Sequence, residues 1–223
     1  MSSVLDMWPF LVDGFAITLK LLVASALITT LLGTVLAAMR VSPVVPFRAF
    51  GTAYVTVFRN TPLVVLFILV VEGFPPIGVT PSIPWLGMND FQTLAVLALS
   101  TYTAAFVCEA LRAGINTVDA GQAEAARTVG MTFGQSLRMI VLPQAFRAVI
   151  PPLASVYIAL TKNTSVAAVF GVTEATYQLR RMIEQTIATA TVAFLGIAAG
   201  YVLIVWVIAG TSAFLERQVS AAR

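Results

Sequence analysis

The chain has 223 residues, of which 59% are hydrophobic and 10% are charged, and its formal net charge is +3. Soluble domains carry about 25% charged residues, and a mean hydropathy of +0.93 is too high for a soluble fold of this length, so the composition predicts an integral membrane protein. One cysteine and no histidine exclude a disulfide framework within the chain, cysteine or histidine metal sites and imidazole catalysis. We therefore expect no catalytic residue and no metal site.

Five stretches of the chain are apolar and long enough to cross a bilayer, which takes about 20 residues. They lie at about 14–38, 52–71, 91–111, 148–170 and 191–214. The second stretch is the weakest candidate, because Arg59, Asn60 and Pro62 lie in its first half. The predicted fold class is an all-α integral membrane protein with five transmembrane helices, which form a single transmembrane domain over residues 1–223.

The distribution of basic residues predicts the orientation in the membrane, because Lys and Arg concentrate on the cytoplasmic side. Only Arg180 and Arg181 fall on one face of the predicted topology. Nine arginines fall on the other face: Arg40, Arg48, Arg59, Arg112, Arg127, Arg138, Arg147, Arg217 and Arg223. We therefore expect the N-terminus outside the cell, and both the C-terminus and the segment 115–147 in the cytoplasm.

The cytoplasmic segment 115–147 is amphipathic, and we predict that it forms a helix, a sharp turn and a second helix. Gly130 would supply a left-handed cap to the first helix. Thr132 and Gln135 have the spacing of a capping box, which would start the second, and Pro143 is expected to end it. Periodicity alone leaves two interpretations open, a docking surface for a partner and a pair of helices lying on lipid headgroups.

Polar residues inside the predicted spans are candidates for a transport pathway. The main group lies near the middle of the fourth span: Lys162, Asn163, Thr164 and Ser165. This group would suit the carboxylate and amine of an amino acid. The equal alternative is an ion pair between Lys162 and a residue such as Glu109, with the hydroxyls bonded to their own helix. Glu109 also lies one turn from Arg112, which favours a local pair. Lys20, about 9 Å into the first span, either extends to the outer surface or faces the pathway.

Several segments resemble one known family. The sequence Glu124-Ala125-Ala126, followed by Gly130 and then by Ile140-x-Leu142-Pro143, resembles the cytoplasmic "EAA" loop of ATP-binding cassette importer permeases. "FRNTPLVVLF" at 58–67, "FVCEALRAGI" at 106–115 and "LTKNTSVAAV" at 160–169 resemble segments of the polar amino acid permeases. Phe106 and Ala113 depart from a tyrosine and a glycine of that pattern. The overall likeness is to permease subunits of actinobacterial glutamate importers.

The resemblance implies the transmembrane subunit of an ATP-driven amino acid importer, in which the loop 115–147 is the coupling helix seated on a separate ATPase. The chain has no Gly-x-x-x-x-Gly-Lys-Ser/Thr phosphate loop, so we expect ATP and Mg²⁺ on that partner and no cofactor here. The expected partners are a cytoplasmic ATPase dimer, a second permease subunit, an extracellular substrate-binding protein and membrane lipid, but no nucleic acid. We expect a heterodimeric permease pair, with a homodimer left open, in the inner or plasma membrane of a bacterium.

Asn163 bears on the substrate. Many members of the family have Lys-Asp-Thr-Ser where this chain has "KNTS", and a buried carboxylate there would repel a second carboxylate on the ligand. With Asn163, Lys162 could bind the α-carboxylate and Lys20 a side-chain carboxylate. We therefore expect glutamate before aspartate. Glutamine or a basic amino acid is the alternative substrate, and an ATP-independent secondary transporter is the less favoured alternative function.

Overall fold

The computed structural model describes residues 7–82, 87–185 and 190–221. Residues 1–6 and Arg223, which entered the prediction of orientation, lie outside these ranges. The described residues form nine α-helices: α1 (Trp8–Val41), α2 (Val45–Asn60), α3 (Leu63–Phe67), α4 (Asp90–Asn116), α5 (Ala120–Thr128), α6 (Phe133–Ser136), α7 (Leu142–Asn163), α8 (Ala175–Gln185) and α9 (Ala190–Ala221).

Helix α4 lies at the centre of the bundle and is the most deeply buried long helix. It begins with a capping box, in which Asn89 and Gln92 exchange backbone and side-chain hydrogen bonds. Small residues then let its neighbours approach closely. A Cβ atom added to Gly114 would lie 2.1 Å from Cγ2 of Val149 on α7. This distance is too short for two carbon atoms that are not bonded to each other, so only glycine fits here without a shift of its neighbours. Helices α1, α2 and α7 pack around α4 and enclose its apolar residues from three sides.

Four helical segments in the described ranges are long and apolar enough to cross a membrane, and a bent pair gives a fifth. The four are Trp8–Val41, Asp90–Asn116, Gly134–Phe170 and Ala190–Gln218, and the bent pair is Val45–Asn60 with Leu63–Ile77. The described residues thus agree with an all-helical membrane protein of about five spans. Where the bilayer begins and ends along each helix remains a prediction.

The predicted second span is not one straight helix, because the chain bends by 106° between α2 and α3. Thr61 leaves the helical conformation, with φ −89° and ψ 129°, as expected for a residue that precedes a proline. Its backbone N–H and its hydroxyl both donate to the carbonyl of Val57, at 3.0 Å and 2.8 Å. Pro62 is the N-cap residue of α3, and its missing N–H costs nothing because the first N–H groups of a helix have no partner within the helix.

The segment 115–147 contains the short helices α5 and α6 on either side of Gly130. Asp119 caps α5 by accepting a hydrogen bond from the N–H of Gly121 at 2.8 Å. Gly130 adopts φ +85°, in the left-handed region that favours glycine. Thr132 and Gln135 then form the reciprocal bonds of a capping box, at 2.8 Å and 3.3 Å.

Pro143 does not end the second helix, and that expectation is wrong. Helix α6 passes through a π-helical turn at Leu137–Val141 and continues directly into α7. Pro143 lies in the first turn of α7. A proline inside a regular α-helix would clash with the carbonyl four residues earlier, and the wider π turn before Pro143 relieves that conflict.

Candidate functional site

The "EAA" sequence lies on the short helix α5, which presents only part of the motif to solvent. Glu124 and Ala125 are exposed, whereas Ala126 is 3% exposed and packs inward. A side-chain hydrogen bond between Gln122 and Gln144 ties α5 to α7. Ala125 is therefore accessible to a partner and Ala126 is not. The sequence alone could not show this difference between the two alanines.

The second part of the motif lies beside a largely apolar cleft of about 740 Å³. Leu142 and Pro143 line this cleft, together with residues of α1, α4 and the first turns of α7. Leu142 is 50% exposed and Phe146, one turn later, is 65% exposed, while Ile140 is half-buried. The cleft and the exposed side of α5 are thus adjacent features at one end of the bundle.

The polar group of the fourth span lies where α7 changes to a 3₁₀-helix, Thr164–Phe170. Thr164 is buried, and its hydroxyl donates to the carbonyl of Thr161 at 2.7 Å. The Ser165 hydroxyl donates to the carbonyl of Lys162 at 2.6 Å. Both hydroxyls therefore bond their own helix, one of the two alternatives left open by the sequence. Lys162 is exposed and Asn163 is half-buried, so these two side chains remain available to a ligand.

Lys20 is exposed on α1. Its Nζ atom lies beside Gly87, 3.8 Å from where a Cβ of that residue would be. Gly87 belongs to the connection that precedes α4. The structure therefore places Lys20 next to this connection, and gives no contact between it and the polar group of the fourth span.

Glu109 pairs with arginines, so the suggested ion pair between Glu109 and Lys162 is wrong. Arg40, at the end of α1, donates a hydrogen bond to Oε1 of Glu109. Arg112 Nη2 lies 3.5 Å and Arg59 Nη1 3.8 Å from Oε2. The local pair with Arg112 is confirmed. Arg40 and Arg59 join it because α1 and the end of α2 both pack against α4.

Glu174 is a buried acid that the sequence did not single out, and it joins three helices. Its Oε2 atom accepts hydrogen bonds from the hydroxyls of Tyr201 at 2.7 Å and Thr18 at 3.3 Å. Its Oε1 atom accepts from the N–H of Tyr177 at 3.0 Å. The only sequence signal is a lone acid between threonines before α8. Burial raises the pKa of the Glu174 carboxyl above its ordinary value, although these hydrogen bonds oppose the rise.

Residues 29–221 match the family described as the inner membrane component of binding-protein-dependent transport systems. The chain belongs to this family. The permease is 45% identical to the glutamate transport system permease protein of Corynebacterium efficiens over 204 residues, which is 89% of each chain. It is 41% identical to the glutamate/aspartate import permease protein of Escherichia coli O6:H1 over 179 residues, or 78% of this chain and 77% of that one.

A solved structure of the same architecture is described as the crystal structure of an amino acid ABC transporter with histidines. It matches the permease with a TM-score of 0.85 and 30% identity, and the match covers 97% of each chain. The resemblance inferred from the sequence motifs is confirmed, and the chain is a permease subunit rather than an enzyme. Permeases of this family carry no cofactor, lie in the inner membrane, and work with an ATPase, a further permease subunit and a binding protein.

Proposed function

We propose that this permease imports glutamate as the transmembrane subunit of an ATP-driven importer that works by alternating access. The observation that carries the proposal is the 45% identity to a glutamate transport permease over 89% of both chains. The relative from Escherichia coli, 41% identical, transports glutamate or aspartate by its name. Two relatives with acidic amino acids in their names favour an anionic substrate here.

The proposed substrate contacts are Lys162 and Asn163. The exposed ammonium of Lys162 would attract the α-carboxylate, and the neutral amide of Asn163 offers a donor and an acceptor without a repelling charge. Thr164 and Ser165 would shape the segment, since their hydroxyls already bond the helix. Lys20, on the exposed side of α1, is the proposed contact for the side-chain carboxylate of glutamate.

The loop 115–147 is proposed to couple the permease to the ATPase. Glu124 and Ala125 would contact the ATPase from the exposed side of α5, and Gly130 would fix the angle to the next helix. Ala126, Ile140, Leu142 and Pro143 would hold the base of the loop, since Ala126 is buried and the last two line the cleft. Helix is continuous from α6 to the end of α7, a length of about 45 Å at 1.5 Å per residue. Movement at the turn would therefore reach Asn163 without an intervening hinge loop.

The proposed assembly is supported by the distribution of arginines along the sequence and by the family. The N-terminus lies outside and the C-terminus in the cytoplasm of a bacterium, so that α5 faces an ATPase dimer that binds ATP and Mg²⁺. A second permease, forming a heterodimer with this one, completes the pathway. An extracellular binding protein delivers the substrate and selects it first.

The substrate proposal is tested by uptake into proteoliposomes that contain the complete importer and its binding protein. Glutamate should compete best in the wild type. Asn163→Asp should lower glutamate uptake about tenfold more than glutamine uptake, the equivalent of about 1.4 kcal/mol of added repulsion. Gln218→Glu, which makes the same amide-to-acid change at an exposed position near the end of α9, is the matched control and should behave as the wild type. If glutamine or arginine outcompetes glutamate in the wild type, the substrate proposal is wrong, while membership of the family stands.

A further inference from the structure

A polar pocket of about 310 Å³ lies where the ends of α1 and α2 meet α4. Its polar lining residues are Arg40, Thr56, Arg59, Asn60, Glu109 and Arg112. This arginine pocket is separate from the polar group of the fourth span and from the exposed side of α5. Neither the transport proposal nor the coupling proposal uses it.

The charges of the arginine pocket do not balance, because three guanidinium groups surround one carboxylate. Only Arg40 makes a direct hydrogen bond to Glu109, whereas Arg112 and Arg59 lie 3.5 Å and 3.8 Å from its second oxygen. The Arg59 side chain is 55% exposed. The Nε atom of Arg112 is buried without a hydrogen-bond partner among the described residues. A buried donor without a hydrogen-bond partner costs free energy. The pocket therefore has an unused donor whose cost a bound ligand would remove, and it has two more positive than negative charges.

We propose that the arginine pocket binds a phosphate group. A guanidinium fork binds two oxygens of a phosphate at once. A tetrahedral phosphate presents oxygens to more than one fork, whereas Glu109 has only two carboxylate oxygens for three guanidinium groups. The pocket volume of about 310 Å³ exceeds that of a single phosphate ion, which leaves room for the alcohol part of a phosphate ester. Thr56 and Asn60 would add polar contacts to that part.

Two sources can supply this phosphate, an anionic phospholipid and a soluble phosphate ester. The pocket lies at the end of two membrane helices, since Arg40 precedes the last residue of α1 and Asn60 is the last residue of α2. In the proposed orientation this is the cytoplasmic face, where anionic lipid headgroups attract arginines. Phe50 and Val57, seven residues apart on α2, are 58% and 57% exposed and could contact an acyl chain.

The test uses the purified importer complex and compares Arg59→Gln with the matched control Arg217→Gln, an exposed arginine near the end of α9. Native mass spectrometry would measure retention of added phosphatidylglycerol and of phosphatidylcholine. In lipid-depleted detergent, thermal unfolding would be followed with inorganic phosphate and with glycerol 3-phosphate. Arg59→Lys, which keeps the charge but loses the fork, serves if Arg59→Gln does not assemble.

We expect Arg59→Gln to weaken phosphatidylglycerol retention about tenfold, through the loss of one charge-assisted fork, and Arg217→Gln to leave it unchanged. That result identifies a lipid phosphate. Unchanged lipid retention, together with a rise in Tm from glycerol 3-phosphate that Arg59→Gln abolishes, identifies a soluble ester. Equal losses in Arg59→Gln and Arg217→Gln, or no effect of lipid and soluble phosphate alike, overturn the proposal. None of these outcomes depends on which amino acid is transported.

Discussion

Glu174 shows how a single side chain can hold several helices together. Its carboxylate is fully buried and accepts hydrogen bonds from α1, α8 and α9. A buried carboxylate is tolerated because its oxygens have partners. Burial nevertheless raises the pKa of the group above its ordinary value. The folded protein therefore holds this proton more tightly than the unfolded chain does.

Stability should depend on pH through Glu174. The pKa of Glu174 is higher in the folded protein than in the unfolded chain. The protonated carboxyl therefore contributes to the free energy of unfolding at low pH, and this contribution is lost as pH rises through the folded-state pKa. Glu174→Gln cannot ionise, so its Tm relative to that of the wild type should increase as pH rises above the ordinary glutamate pKa of about 4. Thermal unfolding of the purified complex at increasing pH measures the difference. Glu184→Gln, which removes an exposed acid paired with Arg180, should show no such increase. A constant difference for Glu174→Gln would contradict the assigned cause.

At the scale of elements, proline and glycine decide where helices break and how closely they pack. Pro62 separates α2 from α3, whereas Pro143 lies within a continuous helix because a π turn precedes it. Gly130 makes the turn between α5 and α6 possible. Gly114 instead acts through its missing side chain, which lets α4 and α7 touch.

Replacing Gly130 should disturb coupling without preventing membrane insertion. A β-branched residue with positive φ costs about 1–2 kcal/mol or more, so Gly130→Val should move α6 relative to α5. We expect normal amounts of the variant in the membrane but reduced co-purification of the ATPase and reduced substrate-stimulated ATP hydrolysis. Gly134→Val is the control, because Gly134 has open space around it and no positive φ. If Gly130→Val and Gly134→Val show the same ATPase co-purification and the same ATP hydrolysis, the proposed role of the turn at Gly130 is wrong.

Replacing Gly114 should weaken the packing of α4 on α7. A leucine there would collide with Val149, whose backbone Cα lies 3.2 Å from the added Cβ position. Overpacking of this kind costs about 1–3 kcal/mol, so Gly114→Leu should lower the Tm of the purified complex. Gly210→Leu on α9, where an added Cβ meets nothing within 4 Å, should change it little. An unchanged Tm for Gly114→Leu would mean that the two helices separate without cost.

The whole molecule is a bundle whose apolar surface extends well beyond its own core. On α9, Leu203, Trp206 and Val207 are each more than half exposed. In a bilayer such side chains contact lipid or a second subunit and need no internal partner. The proposed orientation, with α5 in the cytoplasm, determines which ends of the bundle meet the ATPase and the binding protein.

The orientation can be tested by cysteine labelling of intact cells. Cys108 is the only cysteine and is fully buried, so Cys108→Ala provides a background without reactive thiols. In that background Ser82→Cys should react with a membrane-impermeant maleimide from outside. Gly134→Cys should react only after the membrane is permeabilised. The reverse pattern would place α5 outside and remove its proposed contact with the ATPase.

The sequence by itself determined that the chain has about five apolar helical stretches, a left-handed glycine at 130 and a capping box at Thr132, because each depends on residues within about one span or one helical turn of each other. The family also followed from short motifs. Only the tertiary structure decided the partners of Glu109 and Glu174. Arg40 precedes Glu109 by 69 residues, and Thr18 precedes Glu174 by 156, and such pairs depend on which helices pack together. The path of the helix through Pro143 was also decided there, because the π turn relieves a clash that local sequence rules treat as a helix end.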